Sequence, residues 1–159
     1  MKTQLKTIAH TLMSIARKEL DLPVACTYTG AKGLHVYAFT GLISAADCRE
    51  GIGIILDGLA DKSVGPVSLF RGSNFYRFDN QDPWLGQPNI TIEVFPKQDS
   101  LEGKDLGNLM RLPLGRNLKN PKDPTFFVDM TAALSDLKPL DPVYALTEAA
   151  ANPWRRQGE

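Results

Sequence analysis

Thr27-Tyr28-Thr29-Gly30-Ala31-Lys32-Gly33-Leu34-His35-Val36-Tyr37-Ala38-Phe39 is the stretch on which the reading of this chain turns. It joins a glycine turn, a cation and a histidine that enters a strand. Gly30 and Gly33 bracket Lys32, so the backbone there can take a positive φ and come close to a ligand with no Cβ in the way. Beyond Gly33, the residues Leu34, Val36 and Ala38 alternate with His35, Tyr37 and Phe39, which places the two sets on opposite faces of an extended segment. His35 then occupies the first turn-proximal position of its face, within reach of whatever Lys32 holds. A lysine and an imidazole delivered beside a flexible turn suit a polyphosphate, which needs charge and donors at close range. The same spacing also allows a plain hairpin with a structural strand histidine.

Upstream, Leu5, Ile8, Leu12, Ile15, Ala16 and Leu20 recur at three and four and predict an amphipathic helix over Thr3 to Leu20. Lys2, Lys6, Arg17 and Lys18 fall off that stripe, and Asp21 and Pro23 end the helix. Val24 to Tyr28 reads as a strand leading into the turn. Downstream of Phe39, Ser44 followed by Asp47 gives an N-cap for a helix over Ala45 to Leu59, weakened by Gly51, Gly53 and Gly58. Val67 to Phe70 and Phe75 to Phe78 read as short strands around Gly72, Ser73 and Asn74, and Asp79 to Gln87 as loop.

Asn89 to Phe95 predicts a strand with Ile90, Ile92 and Val94 on one face and Thr91, Glu93 and Phe95 on the other. A carboxylate in such a strand is costly to bury unless it is paired or binds a cation; otherwise its face is solvated. Leu109 to Leu112 reads as another strand. From there to Lys122 the charged side chains are Arg111, Arg116, Lys119 and Lys122, all cationic, for which a run of phosphates is the natural partner and a solvated hairpin tip the bland alternative. Thr125 to Asp129 reads as a last strand. Thr131 to Leu137 and Pro142 to Ala151 read as short helices, the second capped by Asp141.

The totals set bounds. At 159 residues the chain suits one domain, expected over 1–151, with a tail over 152–159. Eighteen basic and eighteen acidic side chains cancel, so nucleic acid held by bulk charge is disfavoured and any such contact rests on a local patch. Cys26 and Cys48 lack zinc-site spacing and read as reduced packing residues, so no zinc is expected. No apolar run is long enough for a signal peptide or membrane span, from which a cytoplasmic protein is expected.

Thr29-Gly30-Ala31-Lys32-Gly33-Leu34-His35-Val36-Tyr37 resembles the second motif of the archaeo-eukaryotic primase superfamily, Ser-Gly-x-(Lys/Arg)-Gly-x-His-(Val/Leu). Ile92-Glu93-Val94-Phe95-Pro96-Lys97-Gln98 and Gly107-Asn108-Leu109-Met110-Arg111-Leu112-Pro113-Leu114-Gly115 resemble the phage, plasmid and mobile-element primase-polymerases of that superfamily. The resemblance implies an α+β fold, a mixed or antiparallel sheet flanked by helices like the RNA-recognition-motif-like half of a primase catalytic core. It implies template-directed nucleotidyl transfer from nucleoside triphosphates on a single-stranded DNA template, with Mg or Mn as cofactor. Thr29, Lys32, His35 and Arg111 would take the triphosphate, and Glu93 would be a metal carboxylate, with Asp129 as second choice. The superfamily's first motif, Asp-x-Asp or Asp-x-Glu, has no counterpart in these residues. The strand that carries it precedes a helix and hairpin like these, so a partner polypeptide is expected to supply it. The alternative is a catalytically inactive nucleotide- or nucleic-acid-binding accessory protein of replication.

Overall fold

The computed structural model describes residues 2–62, 67–71, 75–80, 90–100, 103, 113–115 and 117–151. These fall into two compact units, one formed by residues 43–110 and the other by the two flanking segments, 2–42 and 111–159.

In the flanking-segment unit, α1 (Lys2–Leu20) is followed by the hairpin of β1 (Val24–Tyr28) and β2 (Leu34–Ala38). The helix stops where Asp21 takes a positive φ of 50° and the Leu22 N–H reaches back to the Ala16 carbonyl at 3.1 Å, just ahead of Pro23. β1 pairs antiparallel with β2, with Thr27 opposite His35, and also with β6 (Phe126–Val128), with Thr27 opposite Phe127. β6 in turn pairs with the short β7 (Pro139–Leu140), giving an antiparallel sheet in the order β2-β1-β6-β7. α3 (Pro142–Ala151) starts as expected, with Asp141 Oδ1 accepting the Tyr144 N–H at 2.9 Å and Pro142 at the first helical position.

The alternation of β1 and β6 divides the core. Ala25 and Phe127 face Ala145 of α3, with Phe39 and Leu140 packed around them. Cys26 lies on the opposite face, toward Lys6 of α1. Burial pushes the Cys26 thiol up to about 12, against a smaller opposing pull from Lys6. Cys48, half-buried, is raised more modestly by burial and then by Asp47. In a thiol-reagent assay at neutral pH, Cys48 should therefore react slowly and Cys26 only on unfolding; prompt modification of both in the native protein would contradict this packing.

The buried stripe of α1 is rotated from the expected one. Lys6, Ala9, Met13 and Ala16 are the residues at three-and-four spacing that go inside, together with Ile15, while Leu5, Ile8 and Leu12 are half-buried. Lys6, placed off the stripe by its charge, is the most buried of them, with no exposed surface. The helix expected over Thr131 to Leu137 is not formed; the segment is a series of turns. The cause is the same lysine, described below.

In the 43–110 unit, Ser44 caps α2 (Ala45–Lys62). Its Oγ accepts the Asp47 N–H at 3.0 Å and donates to the Asp47 carboxylate at 2.8 Å, a reciprocal cap. Among its described side chains, Ile55, Leu56 and Leu59 are buried. β3 (Val67–Arg71), β4 (Phe75–Asn80) and β5 (Ile90–Glu93) form an antiparallel sheet in that order. Arg49 of α2 fastens the segment after β5, its Nε 2.7 Å from Asp99 Oδ1 and its guanidinium donating to the Pro96 carbonyl at 3.2 Å.

Candidate functional site

The five residues between β1 and β2 close on themselves. The Thr29 N–H donates to the Gly33 carbonyl at 3.1 Å, and the Thr29 hydroxyl donates to the same oxygen at 3.0 Å while accepting the Gly33 N–H at 3.3 Å. The Tyr28 hydroxyl braces the turn from outside by donating to the Ala31 carbonyl at 2.7 Å. Gly30 sits at φ +69°, and a Cβ there would meet the Asp123 carbonyl oxygen at 2.8 Å. Glycine is required at this position twice over, by backbone conformation and by the segment lying across it.

That segment is the cationic loop. Asn117, 5% exposed, donates from Nδ2 to the Thr29 carbonyl at 3.3 Å, and Asn120 donates to the Gly30 carbonyl at 3.2 Å and to the Asp123 carboxylate. The loop itself is two successive turns, Asn120 N–H to Asn117 carbonyl at 3.1 Å and Asp123 N–H to Asn120 carbonyl at 3.2 Å. Two asparagine amides thus seat Asn117 to Asp123 on the glycine turn, with Lys32, Lys119 and Lys122 all exposed. Sequence reasoning assigned the charge of this loop and missed the clamp. Its signal was Asn-x-x-Asn-Pro, residues that favour turns and carry donors able to reach a neighbouring backbone.

His35 stands half-buried on β2, an edge strand, and its Nδ1 lies 3.2 Å from the Tyr37 hydroxyl two residues along the same face. The rings meet edge-on with centroids 6.0 Å apart. The face is the one on which Thr27, opposite His35, is buried.

Glu93 ends β5 with its side chain exposed, paired with the Lys97 ammonium, which also lies 5.0 Å from the centre of the Phe95 ring. It is at the end of its strand rather than in the middle, so pairing with lysine satisfies it at the surface. Arg111 lies outside the described residues, as do Arg116, the strand expected over Leu109 to Leu112, and the tail 152–159.

Asp129 follows β6. Its Oδ1 accepts the Thr131 hydroxyl at 2.6 Å and the Thr131 N–H at 2.9 Å, and its Oδ2 lies 3.8 Å from the Lys138 ammonium. The Thr131 hydroxyl first, then the Thr131 N–H, hold this carboxyl below its usual range. A depressed native value means stability that is complete above about pH 4, the ordinary aspartate range, and lost as pH falls through the native value. Asp129→Asn should accordingly flatten the acid limb of the stability profile in urea titrations at successive pH values; an unchanged acid limb would contradict the assignment.

Beneath Asp129, the Lys6 ammonium is surrounded by backbone. It donates to the carbonyls of Asp129 at 3.0 Å, Ala132 at 3.1 Å, Ala133 at 3.0 Å and Asp136 at 2.7 Å. Those carbonyls point at one cation instead of along a helix axis, which is why residues 131–137 turn.

A divalent ion for nucleotidyl transfer is held by several hard oxygen ligands. Among the described residues no group of three His, Cys, Asp or Glu side chains could hold one. Glu93 and Asp129 each already carry a cationic neighbour. The described donors do not make up a metal centre by themselves.

An antiparallel α+β fold with a clamped, lysine-bearing glycine turn is the class these features define. Residues 86–149, less than half of the chain, match the family described as TOTE conflict system, Archaeo-Eukaryotic Primase domain. The match spans β5 to most of α3 and includes Glu93, Arg111 and Asp129, so the chain is similar there to a primase domain of the superfamily its motifs resemble. No curated protein and no solved structure matches the chain. A nucleotidyltransferase-related role is the functional statement this similarity supports. No helix among the described residues is long and apolar enough to cross a membrane.

Proposed function

We propose that this chain is the nucleotide-binding part of a DNA primase-polymerase of the cytoplasm, working with nucleoside triphosphates and a single-stranded DNA template. The observation that carries the proposal is the glycine turn: a built, twice-clamped loop that holds exposed Lys32 next to a strand bearing His35. A turn fixed in this way holds its ammonium ready for an anion at little further entropic cost. In this reading Lys32 and His35 take oxygens of the triphosphate and Arg111 takes its γ or β phosphate. Thr29 acts through the turn it closes, its hydroxyl being bonded to Gly33. Tyr37 orients the imidazole through Nδ1.

Bound Mg or Mn would supply activation of the primer hydroxyl and neutralisation of the triphosphate. Glu93 is the first candidate carboxylate and Asp129 the second, each lying beside a lysine when no ion is bound. The paired acids of the first motif would come from a partner polypeptide. The engagement of both Glu93 and Asp129 by lysines supports one alternative, a nucleotide-binding accessory protein without catalysis.

Calorimetry with dATP and Mn tests the binding. Lys32→Gln should weaken it about tenfold, the loss of one charged hydrogen bond. Equal affinity of wild type and variant, or absence of heat, would overturn it. With a first-motif partner added, templated incorporation that stops with Glu93→Ala marks the enzyme, and nucleotide binding without incorporation marks the accessory protein.

A further inference from the structure

We infer that the loop from Asn117 to Asp123, seated on the glycine turn, is a binding edge for the sugar-phosphate backbone of a single nucleic-acid strand, contacted by Lys119 and Lys122. The choice of a nucleic-acid strand rests on the function proposed above; the existence of an anion-binding edge rests on the loop alone.

The edge and the adjoining turn carry three exposed cations, and among the described residues Lys32, Lys119 and Lys122 make no ion pair. In a chain with eighteen cationic and eighteen anionic side chains, an unpaired cluster is a local excess that the totals conceal. The Asp123 carboxylate at the end of the loop accepts from the Asn120 amide and offsets one of the three charges, leaving a local excess of cations.

The same amide donates to the Gly30 carbonyl, so one side chain joins the lysine-bearing loop to the lysine-bearing turn. Asn117 repeats the connection from a buried position, while its Oδ1 accepts the Lys119 N–H at 3.1 Å and fixes the backbone from which that lysine projects. Next to Lys119, Leu118 is 85% exposed. An exposed apolar side chain beside a lysine offers a sugar or base edge a surface while the ammoniums take phosphates. Charges strung along a loop fit phosphates repeated along a strand better than the compact triphosphate of one nucleotide.

The test is fluorescence anisotropy of a labelled oligodeoxythymidine across a salt series, run beside dATP calorimetry on the same proteins. The double variant Lys119→Gln/Lys122→Gln should bind the strand about tenfold more weakly, and its log-log salt slope should flatten by about 1.4, two contacts at roughly 0.7 each for single strands. Its dATP affinity should be unchanged. Asn120→Ala, which frees the loop and keeps both charges, should weaken the strand several-fold with the slope retained. Unchanged strand affinity and slope in the double variant would overturn the inference, and so would a loss of dATP affinity in place of strand affinity, which would put these lysines in the triphosphate site. Strand binding with the predicted slope change in a protein that binds no dATP would uphold this edge and overturn the nucleotide site.

Discussion

Replacing Lys6 with methionine should destabilise the protein by about 3–5 kcal/mol, the range for removing one side of a buried charged contact. Methionine keeps most of the apolar stem, so the loss comes from the ammonium. Four carbonyls lose a shared donor, and a buried carbonyl without its partner costs about 1–3 kcal/mol. Against a total stability of about 5–15 kcal/mol, this brings the fold close to its limit. Urea unfolding gives the magnitude, and hydrogen exchange should show 129–137 opening before the hairpin, since those turns are organised around the cation. A loss below about 1 kcal/mol would show that the carbonyls find water and that Lys6 does not hold the segment.

The second large effect is expected at Gly30. Gly30→Val places a β-branched residue at φ +69°, with its Cβ 2.8 Å from the Asp123 carbonyl oxygen and 3.2 Å from Thr125 Cγ2. The left-handed conformation alone costs about 1–2 kcal/mol. The clash is with backbone, which cannot swing aside as a flexible side chain would. Together they predict about 3 kcal/mol or more, among the larger single-residue effects. Gly30→Asn separates the two causes. Asparagine tolerates positive φ but still carries a Cβ, so it should recover part of the loss and still push the 117–125 segment off the turn. Full recovery with asparagine would mean that the segment is not packed against Gly30.

How much of this was legible in the sequence depended on whether the deciding interaction was local. The β1–β2 hairpin, the Ser44 cap and the Asp141 cap were readable because partners lie within a few residues and side-chain type fixes the geometry. Glu93 was read as paired, cation-bound or on a solvated face, and it lies exposed beside Lys97, four residues on. What escaped were contacts across the chain. Lys6 was placed off the apolar stripe by its charge, and nothing near it announces the carbonyls more than 120 residues away that make its burial tolerable. Residues 131–137 have helical composition and lose the helix to that same ammonium. The amide clamp joins residues nearly ninety positions apart, and its asparagines read locally as turn formers. β7 is only two residues long and pairs because β6 offers it an edge.

The most direct measurement of the central claim is paramagnetic broadening in the NMR spectrum of isotope-labelled protein on addition of Mn and dATP. A nucleotide held by Lys32 and His35 predicts concerted loss of the amide signals of Gly30 to His35, reversed by excess Mg-dATP. Broadening elsewhere while the glycine turn stays sharp, or no broadening at all, would contradict it.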